Sequence, residues 1–166
     1  MTGIIRLHKI DICDQDFIWQ MLMYASHEES INEVKRQPEL ARYANDWGRT
    51  GDTGFIAVEQ EKSVGAAWIR LWSDTDRGFG YIDNKTPELV VSTLPDYRSR
   101  GIGTLLIGIL IEEIKLSYSA VSLSVRENNP AINLYKKFGF IKVMGSEIVN
   151  RTGGTSCVMR KSLQDE

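Results

Sequence analysis

The sequence predicts an α+β or α/β protein built around a mixed sheet, and three observations support that prediction. Hydrophobic residues make up 42% and charged residues 25% of the 166-residue chain, which is typical of a globular protein. Apolar residues repeat at helical spacing in some segments and alternate at strand spacing in others. The predicted order is a strand, two helices, a β-hairpin and then strand–helix–strand–helix–strand. No internal repeat or linker interrupts the chain, so we expect a single domain over residues 1–166.

The first half of the chain supplies the early helices and the hairpin. Residues 4–7 form a short apolar run that predicts a strand, and residues 14–25 carry apolar side chains at helical spacing. A second helical segment follows and is broken by Pro38. Residues 54–59 and 64–72 predict the two strands of the hairpin, with a polar turn between them.

The second half contains the most regular pattern in the chain. Residues 89–94 predict a strand that Pro95 ends, and residues 101–115 predict a helix. The apolar stripe expected to face the core consists of Ile102, Leu105, Leu106, Ile109, Leu110 and Ile114. A strand at 121–125 and a short helix at 130–137 follow, and the last two strands are expected at 140–144 and 155–159.

Charge and composition exclude several function classes. The net charge of −2 argues against a dedicated binder of nucleic acid or of anionic membranes. We expect neither a secretory signal in residues 1–9 nor a membrane span, because no long apolar run occurs. Cys13 and Cys157 are too few for a disulfide framework, so we expect reduced thiols in a cytoplasmic protein. His8 and His27 are isolated, so we expect no metal site.

A glycine loop between a strand and the best helix is the most informative segment. Residues 94–104 read Leu-Pro-Asp-Tyr-Arg-Ser-Arg-Gly-Ile-Gly-Thr. A helix start presents unpaired N–H groups and partial positive charge, and glycine lets an anion approach the backbone. Arg98 and Arg100 add positive charge. The segment therefore predicts a phosphate site, although glycines that serve only tight packing at a helix entry are an open alternative.

Two common phosphate loops do not fit this segment. A Walker loop needs Lys-Ser or Lys-Thr after the glycines, and the chain has neither there. A dinucleotide loop needs a third glycine where this chain has Leu106, and it follows a first strand rather than lying two-thirds along the chain.

The remaining pattern, Arg-x-x-Gly-x-Gly between a strand and a helix, resembles the pyrophosphate loop of the GNAT superfamily of acetyl-CoA-dependent N-acetyltransferases. A second block, residues 125–140, is similar to the strand, Asn, short Leu-Tyr helix and Gly-Phe of that family. The resemblance implies a GNAT-type fold with a central mixed, mostly antiparallel sheet of about six or seven strands and about four helices. It also implies acetyl-CoA as co-substrate, an amine as acceptor, and the possibility of a homodimer.

The resemblance assigns the cofactor contacts to two adjoining segments. The cradle for the coenzyme A pyrophosphate is Arg98, Ser99, Arg100, Gly101, Ile102, Gly103 and Thr104. The strand that pairs with the pantetheine arm ends in Ser92, Thr93 and Leu94, and an amide near Thr93 and Leu94 is expected to meet the oxyanion. Asn128 and Asn129 are alternative cofactor contacts, and either is also a natural helix cap.

Two residues are the catalytic candidates. Tyr135 matches the family's tyrosine that donates a proton or a hydrogen bond to the leaving sulfur, and the alternative is a packed aromatic. Glu88 is the candidate general base at the head of the strand that leads to the loop, and the alternative is a solvated strand-end carboxylate. Ser122 and Ser124 could hold a water on the neighbouring strand, or simply form its polar side.

The predicted function is transfer of an acetyl group from acetyl-CoA to a primary amine by direct attack within a ternary complex. The acceptor amine is left open, because its pocket would be lined by the first two helices, where the family pattern is weakest. A non-catalytic acyl-CoA sensor of the same fold, or an unrelated nucleotide-phosphate enzyme with the same loop, are the alternatives.

Overall fold

The computed structural model describes residues 3–164, so residues 1, 2, 165 and 166 of the predicted single domain lie outside the described part. The described chain divides into two compact units. Within the described residues, the first comprises 3–70 and 90–114, and the second comprises 71–89 and 115–164. The prediction of a single domain stays a prediction.

The elements follow the predicted order. The helices are α1 Gln15–Ala25, α2 Ile31–Lys35, α3 Pro38–Ala41, α4 Ile102–Ile114 and α5 Ala131–Lys137. The strands are β1 Ile5–Lys9, β2 Thr53–Glu59, β3 Lys62–Arg70, β4 Glu88–Thr93, β5 Ala120–Arg126, β6 Ile141–Lys142, β7 Ile148–Val149 and β8 Thr155–Ser162. Of these, only the two-residue β7 had no counterpart in the sequence prediction.

The first unit is built on the predicted hairpin. Strands β1, β2 and β3 pair antiparallel, and the β2–β3 turn holds Gln60 and Glu61 at φ 49° and 65°. Two consecutive positive φ values match the twist that a tight hairpin turn needs. Helix α4 packs on β2 and β3. Gly65 suits this close approach, because a Cβ there would lie 3.0 Å from Thr93 Cγ2 and 3.2 Å from Ile102 Cγ2, tighter than ordinary contact.

The core-facing side of α4 differs from the predicted stripe. Leu105, expected inside, is 48% exposed, whereas Ile107, which lay outside the stripe, is buried. The buried residues of the helix are Ile102, Leu106, Ile107, Leu110 and Ile114. The helix is apolar on almost every side, so periodicity alone could not select its face, and packing against β2 and β3 selects it.

The second unit is organised around β5 and β8. These strands pair antiparallel over seven residues, and both β6 and β7 pair antiparallel with β8. Strand β4 enters this unit through its first residues, where Glu88 pairs parallel with Ser122. The mixed, mostly antiparallel strand pairing confirms the predicted fold class. None of the helices in residues 3–164 is long and apolar enough to cross a bilayer.

Candidate functional site

The loop after β4 adopts an alternating backbone. Pro95–Tyr97 form a 3₁₀ turn, and Arg98 is extended at φ −69°, ψ 157°. Ser99 and Gly101 then take φ values of 60° and 80° before α4 begins at Ile102. Positive φ is uncommon for a residue with a side chain, so Ser99 is held in a sparsely populated conformation. Conformations of alternating hand turn successive N–H groups into one concavity, the arrangement called a nest.

Six consecutive amides of this loop lack a hydrogen-bond partner among residues 3–164. They belong to Ser99, Arg100, Gly101, Ile102, Gly103 and Thr104. The Arg98 amide, which we expected in the same cradle, instead donates to the Pro95 carbonyl at 3.3 Å. A Cβ at Gly101 would meet no atom within 4 Å, so space is open beside the backbone. The loop therefore offers a run of unpaired donors at the positive end of a thirteen-residue helix.

The two arginines of the loop have different surroundings. Arg100 Nη2 donates to Oε1 and Oε2 of Glu59 at 3.0 and 2.9 Å, so its charge is neutralised within the unit. Arg98 makes no ion pair with any residue that the structure describes, and its guanidinium carbon lies 5.9 Å from the centroid of the Tyr24 ring. The sequence suggested two equivalent cations, but only Arg98 is uncompensated.

The end of β4 leads directly into this loop. Ser92 and Thr93 are half-buried, whereas Leu94 is 8% exposed. The Leu94 amide donates to Val64 O at 2.9 Å, and its carbonyl accepts from the Tyr97 amide at 2.9 Å. Both main-chain groups of Leu94 are therefore engaged within this unit.

Tyr135 lies on α5 in the second unit and is 8% exposed. Its ring packs edge-on against Phe140, with centroids 6.0 Å apart. Its hydroxyl makes no hydrogen bond to any residue in the described range. Burial raises the pKa of Tyr135 to about 12, so the phenol stays protonated at neutral pH.

The two candidate asparagines differ in their side-chain hydrogen bonds. The Asn129 side chain accepts from the Ala131 amide, two residues further on, at 2.9 Å and so stabilises the turn before α5, whose N-cap residue is Pro130. Asn128 is exposed and makes no side-chain hydrogen bond to a residue between 3 and 164. Neither asparagine is the N-cap residue of α5; the Asn129 side chain is engaged in the turn before the helix, whereas the Asn128 side chain is not.

Glu88 is 3% exposed, so the alternative of a solvated strand-end carboxylate is wrong. Its Oε1 accepts from Trp72 Nε1 at 2.9 Å and from the Gly80 amide at 3.0 Å. Ser122 Oγ donates to the Gly80 carbonyl at 2.6 Å, so this serine faces the packed interior and not a polar surface. Glu88 and Ser122 thus fasten the loop after Trp72 to the strands of the second unit.

No set of three or more His, Cys, Asp or Glu side chains among the described residues is arranged to hold a metal ion.

Comparison with known proteins identifies the family. The profile of the acetyltransferase (GNAT) family matches residues 18–140, well over half of the chain. The chain belongs to the GNAT family. Both sequence blocks that suggested it lie in the matched region.

Relatives of this GNAT chain fall into two groups. N-alpha-acetyltransferases of Sulfurisphaera tokodaii and Saccharolobus solfataricus are 48% and 34% identical to it over 99 residues. Each match covers 54% of this chain and 56% of the relative, so the matched region spans little more than half of those proteins.

Solved structures resemble the chain along its full length. The protein yncA of Salmonella typhimurium, solved with acetyl-CoA, has a TM-score of 0.72 at 19% identity, over 98% of this chain and 95% of that one. The ribosomal-protein-S18-alanine N-acetyltransferase of Escherichia coli has a TM-score of 0.69 at 17% identity, over 98% and 96%. At such identities the likeness establishes the GNAT fold.

Sequence reasoning missed Glu59 and Gly78, and it missed the pairing of Trp72 with Glu88. Glu59 contacts Arg100 across 41 positions, and Trp72 contacts Glu88 across 16. Gly78 admits Glu88 and Trp72 so closely that a Cβ would overlap both. No local pattern predicts such pairings, since they arise only when distant strands are brought together. The glycine-rich composition of residues 78–80 was the only available signal.

Proposed function

We propose that this protein transfers the acetyl group of acetyl-CoA to the α-amino group of a peptide or protein N-terminus, by direct attack within a ternary complex. The observation that carries the proposal is the run of six unpaired amides from Ser99 to Thr104 at the start of α4. A run of this kind is suited to a diphosphate.

The loop residues fit the coenzyme in charge as well as in geometry. A diphosphate brings several acceptor oxygens and negative charge, which the Ser99–Thr104 amides, the helix dipole and Arg98 would receive. Ser92 and Thr93 would bind the pantetheine arm, with an amide near Thr93 meeting the oxyanion, and Asn128 would make a further contact. When bound, acetyl-CoA supplies an activated acetyl thioester.

The proposed acceptor is supported by the relatives, two of which are named N-alpha-acetyltransferases. It also suits the chemistry. An α-amino group has a pKa near ~7.7–8.0, whereas a lysine amine has one near ~10.4, so a sizeable fraction of an N-terminus is already neutral at physiological pH. The demand on the protein's general base is correspondingly smaller.

Glu88 and Tyr135 take the proposed proton-handling roles. The amine nitrogen attacks the thioester carbonyl, the carbon–sulfur bond breaks, and the proton that the amine loses passes to Glu88, directly or through water. Tyr135 donates a hydrogen bond to the departing thiolate. Because the pKa of Tyr135, about 12, lies above that of a thiol, near ~8.5, a hydrogen bond is favoured over complete proton transfer.

We place this reaction in the cytoplasm. Cys13 is exposed and Cys157 is buried, and both are free thiols, which fits a reducing compartment.

A ligand panel followed by an acceptor panel tests the proposal. Acetyl-CoA at 100 times its Kd should stabilise the fold by about 2.7 kcal/mol, whereas ATP and NAD should not. Thiol release should then depend on peptides with a free N-terminus and cease when that N-terminus is blocked. Stabilisation without thiol release from any amine would favour the sensor alternative, and stabilisation by ATP or NAD instead of acetyl-CoA would contradict the proposal.

A further inference from the structure

A buried carboxylate lies behind the glycine loop. The Glu59 side chain, at the end of β2, is 6% exposed and pairs with Arg100, whose side chain is 28% exposed. One guanidinium nitrogen contacts both carboxylate oxygens, at 3.0 and 2.9 Å. The guanidinium carbon also lies 4.8 Å from the centroid of the Tyr97 ring, and Lys62 Nζ lies 5.5 Å from the same centroid. The Arg100 side chain is therefore held on two sides.

Glu59 itself is fixed independently of the loop. Its Oε1 accepts from the Gly3 amide at 2.6 Å. This hydrogen bond and the Arg100 guanidinium lower the pKa of Glu59, against the opposing effect of its burial, so the carboxylate remains charged at neutral pH. The anchor belongs to the sheet and would stay in place if the loop moved.

Arg100 occupies a critical position in the backbone of the loop. It stands between Ser99 and Gly101, which both have positive φ. A contact that holds the Arg100 side chain therefore acts on the backbone between two left-handed residues. Left-handed conformations cost free energy for a residue such as Ser99 and persist only where surrounding contacts impose them. The ion pair with Glu59 is a contact of that kind.

We propose that Glu59 is a positioning residue that holds the nest open by fixing the Arg100 side chain, and that the Arg100 guanidinium, unlike its backbone amide, does not contact the diphosphate. Arg98, which no described carboxylate compensates, is then the guanidinium that meets the phosphates. The inference rests on the proposed function and assigns the affinity for acetyl-CoA partly to a residue outside the glycine motif.

Calorimetric titration with acetyl-CoA tests the inference in Glu59→Gln, Arg100→Gln and the double variant. Each should raise the Kd by about tenfold, because each removes the same charged hydrogen bond. The double variant should be no weaker than either single one. A matched control is Asp52→Asn, which breaks a more deeply buried ion pair of the same unit, Asp52 with Arg70, away from the loop. Asp52→Asn should lower the Tm at least as much as Glu59→Gln does, and it should leave the Kd for acetyl-CoA unchanged.

Different results would overturn this inference and the proposed function. A Glu59→Gln variant that binds acetyl-CoA as tightly as the parent overturns the inference. So does an Arg100→Gln variant that binds acetyl-CoA far more weakly than Glu59→Gln, since the Arg100 guanidinium would then be a direct ligand. Should Glu59→Gln not fold, Glu59→Asp serves instead, because it keeps the buried charge and withdraws the carboxylate from Arg100 by one methylene. A parent protein that binds no acetyl-CoA would contradict the proposed function, which is a different result.

Discussion

Tyr135 shows how its surroundings set the chemistry of a single residue. Its hydroxyl has no protein partner in the described chain, and burial raises its pKa to about 12. The hydroxyl oxygen is not among the fully enclosed polar atoms that lack a partner in the described chain, so it stays accessible to a ligand atom.

Tyr135→Phe should lower kcat by roughly 10- to 100-fold and leave the Kd for acetyl-CoA nearly unchanged, since it removes a hydrogen bond made to developing negative charge. Steady-state kinetics with a peptide acceptor, together with calorimetric titration of acetyl-CoA, measure the two quantities. A kcat within about twofold of the parent would remove Tyr135 from the mechanism.

The same residue predicts a pH dependence of stability. A raised pKa means that the folded state retains the proton longer than the unfolded state does, so stability falls as pH rises above 10. Between pH 9 and 11 the free energy of unfolding should fall about 1 kcal/mol more in the parent than in Tyr135→Phe, as denaturant titrations would show. If the free energy of unfolding fell equally with pH in the parent and in Tyr135→Phe, the Tyr135 phenol would not be desolvated.

Glu88→Gln separates a basic role from a structural one. The glutamine oxygen can still accept from Trp72 Nε1 and the Gly80 amide, so the loop should stay anchored and the Tm should change little. Loss of the base should lower kcat by at least about 100-fold at neutral pH, and less at higher pH where the amine is already neutral. A large loss of Tm with kcat retained would make Glu88 an anchor only.

At the scale of elements, the sequence predicted the type and the order of the helices and strands well. It predicted less well which face of an element is buried. The hairpin, the break at Pro38 and the extent of α4 all follow local rules that one segment carries within itself. The buried face of α4 and the pairing of the two-residue β7 depend on neighbours distant in sequence, and so local patterns could not supply them. The glycine motif was visible for the same local reason, whereas the Glu59 anchor behind it was not.

Gly78→Ala tests the packing of the loop after Trp72. A Cβ there would collide with Glu88 Oε1 and Trp72 Nε1, so we expect a loss of about 1–3 kcal/mol in unfolding free energy and a lower kcat. Gly108→Ala is the matched control, because a Cβ there meets no atom within 4 Å and alanine favours a helix, which should stabilise by about 0.5–1 kcal/mol. Equal effects of the two substitutions would contradict this packing.

At the scale of the whole molecule, the candidate residues are distributed over the two compact units. The nest and Arg98 belong to the first, while Tyr135, Asn128 and Glu88 belong to the second. The early helices, expected to line the acceptor pocket, carried the least family signal in the sequence. Acceptor choice depends on the shape of a pocket, which a sequence motif does not encode, and so the motifs leave the acceptor open.

The central claim is that the amides from Ser99 to Thr104 bind the diphosphate of acetyl-CoA. Residue-resolved amide hydrogen exchange measures it directly, because these six N–H groups have no partner in the described protein and should exchange rapidly without ligand. Saturating acetyl-CoA should slow the exchange of all six, while ATP and NAD should not. If acetyl-CoA binds and these amides still exchange at the unliganded rate, the nest is not the cofactor site and the account is wrong.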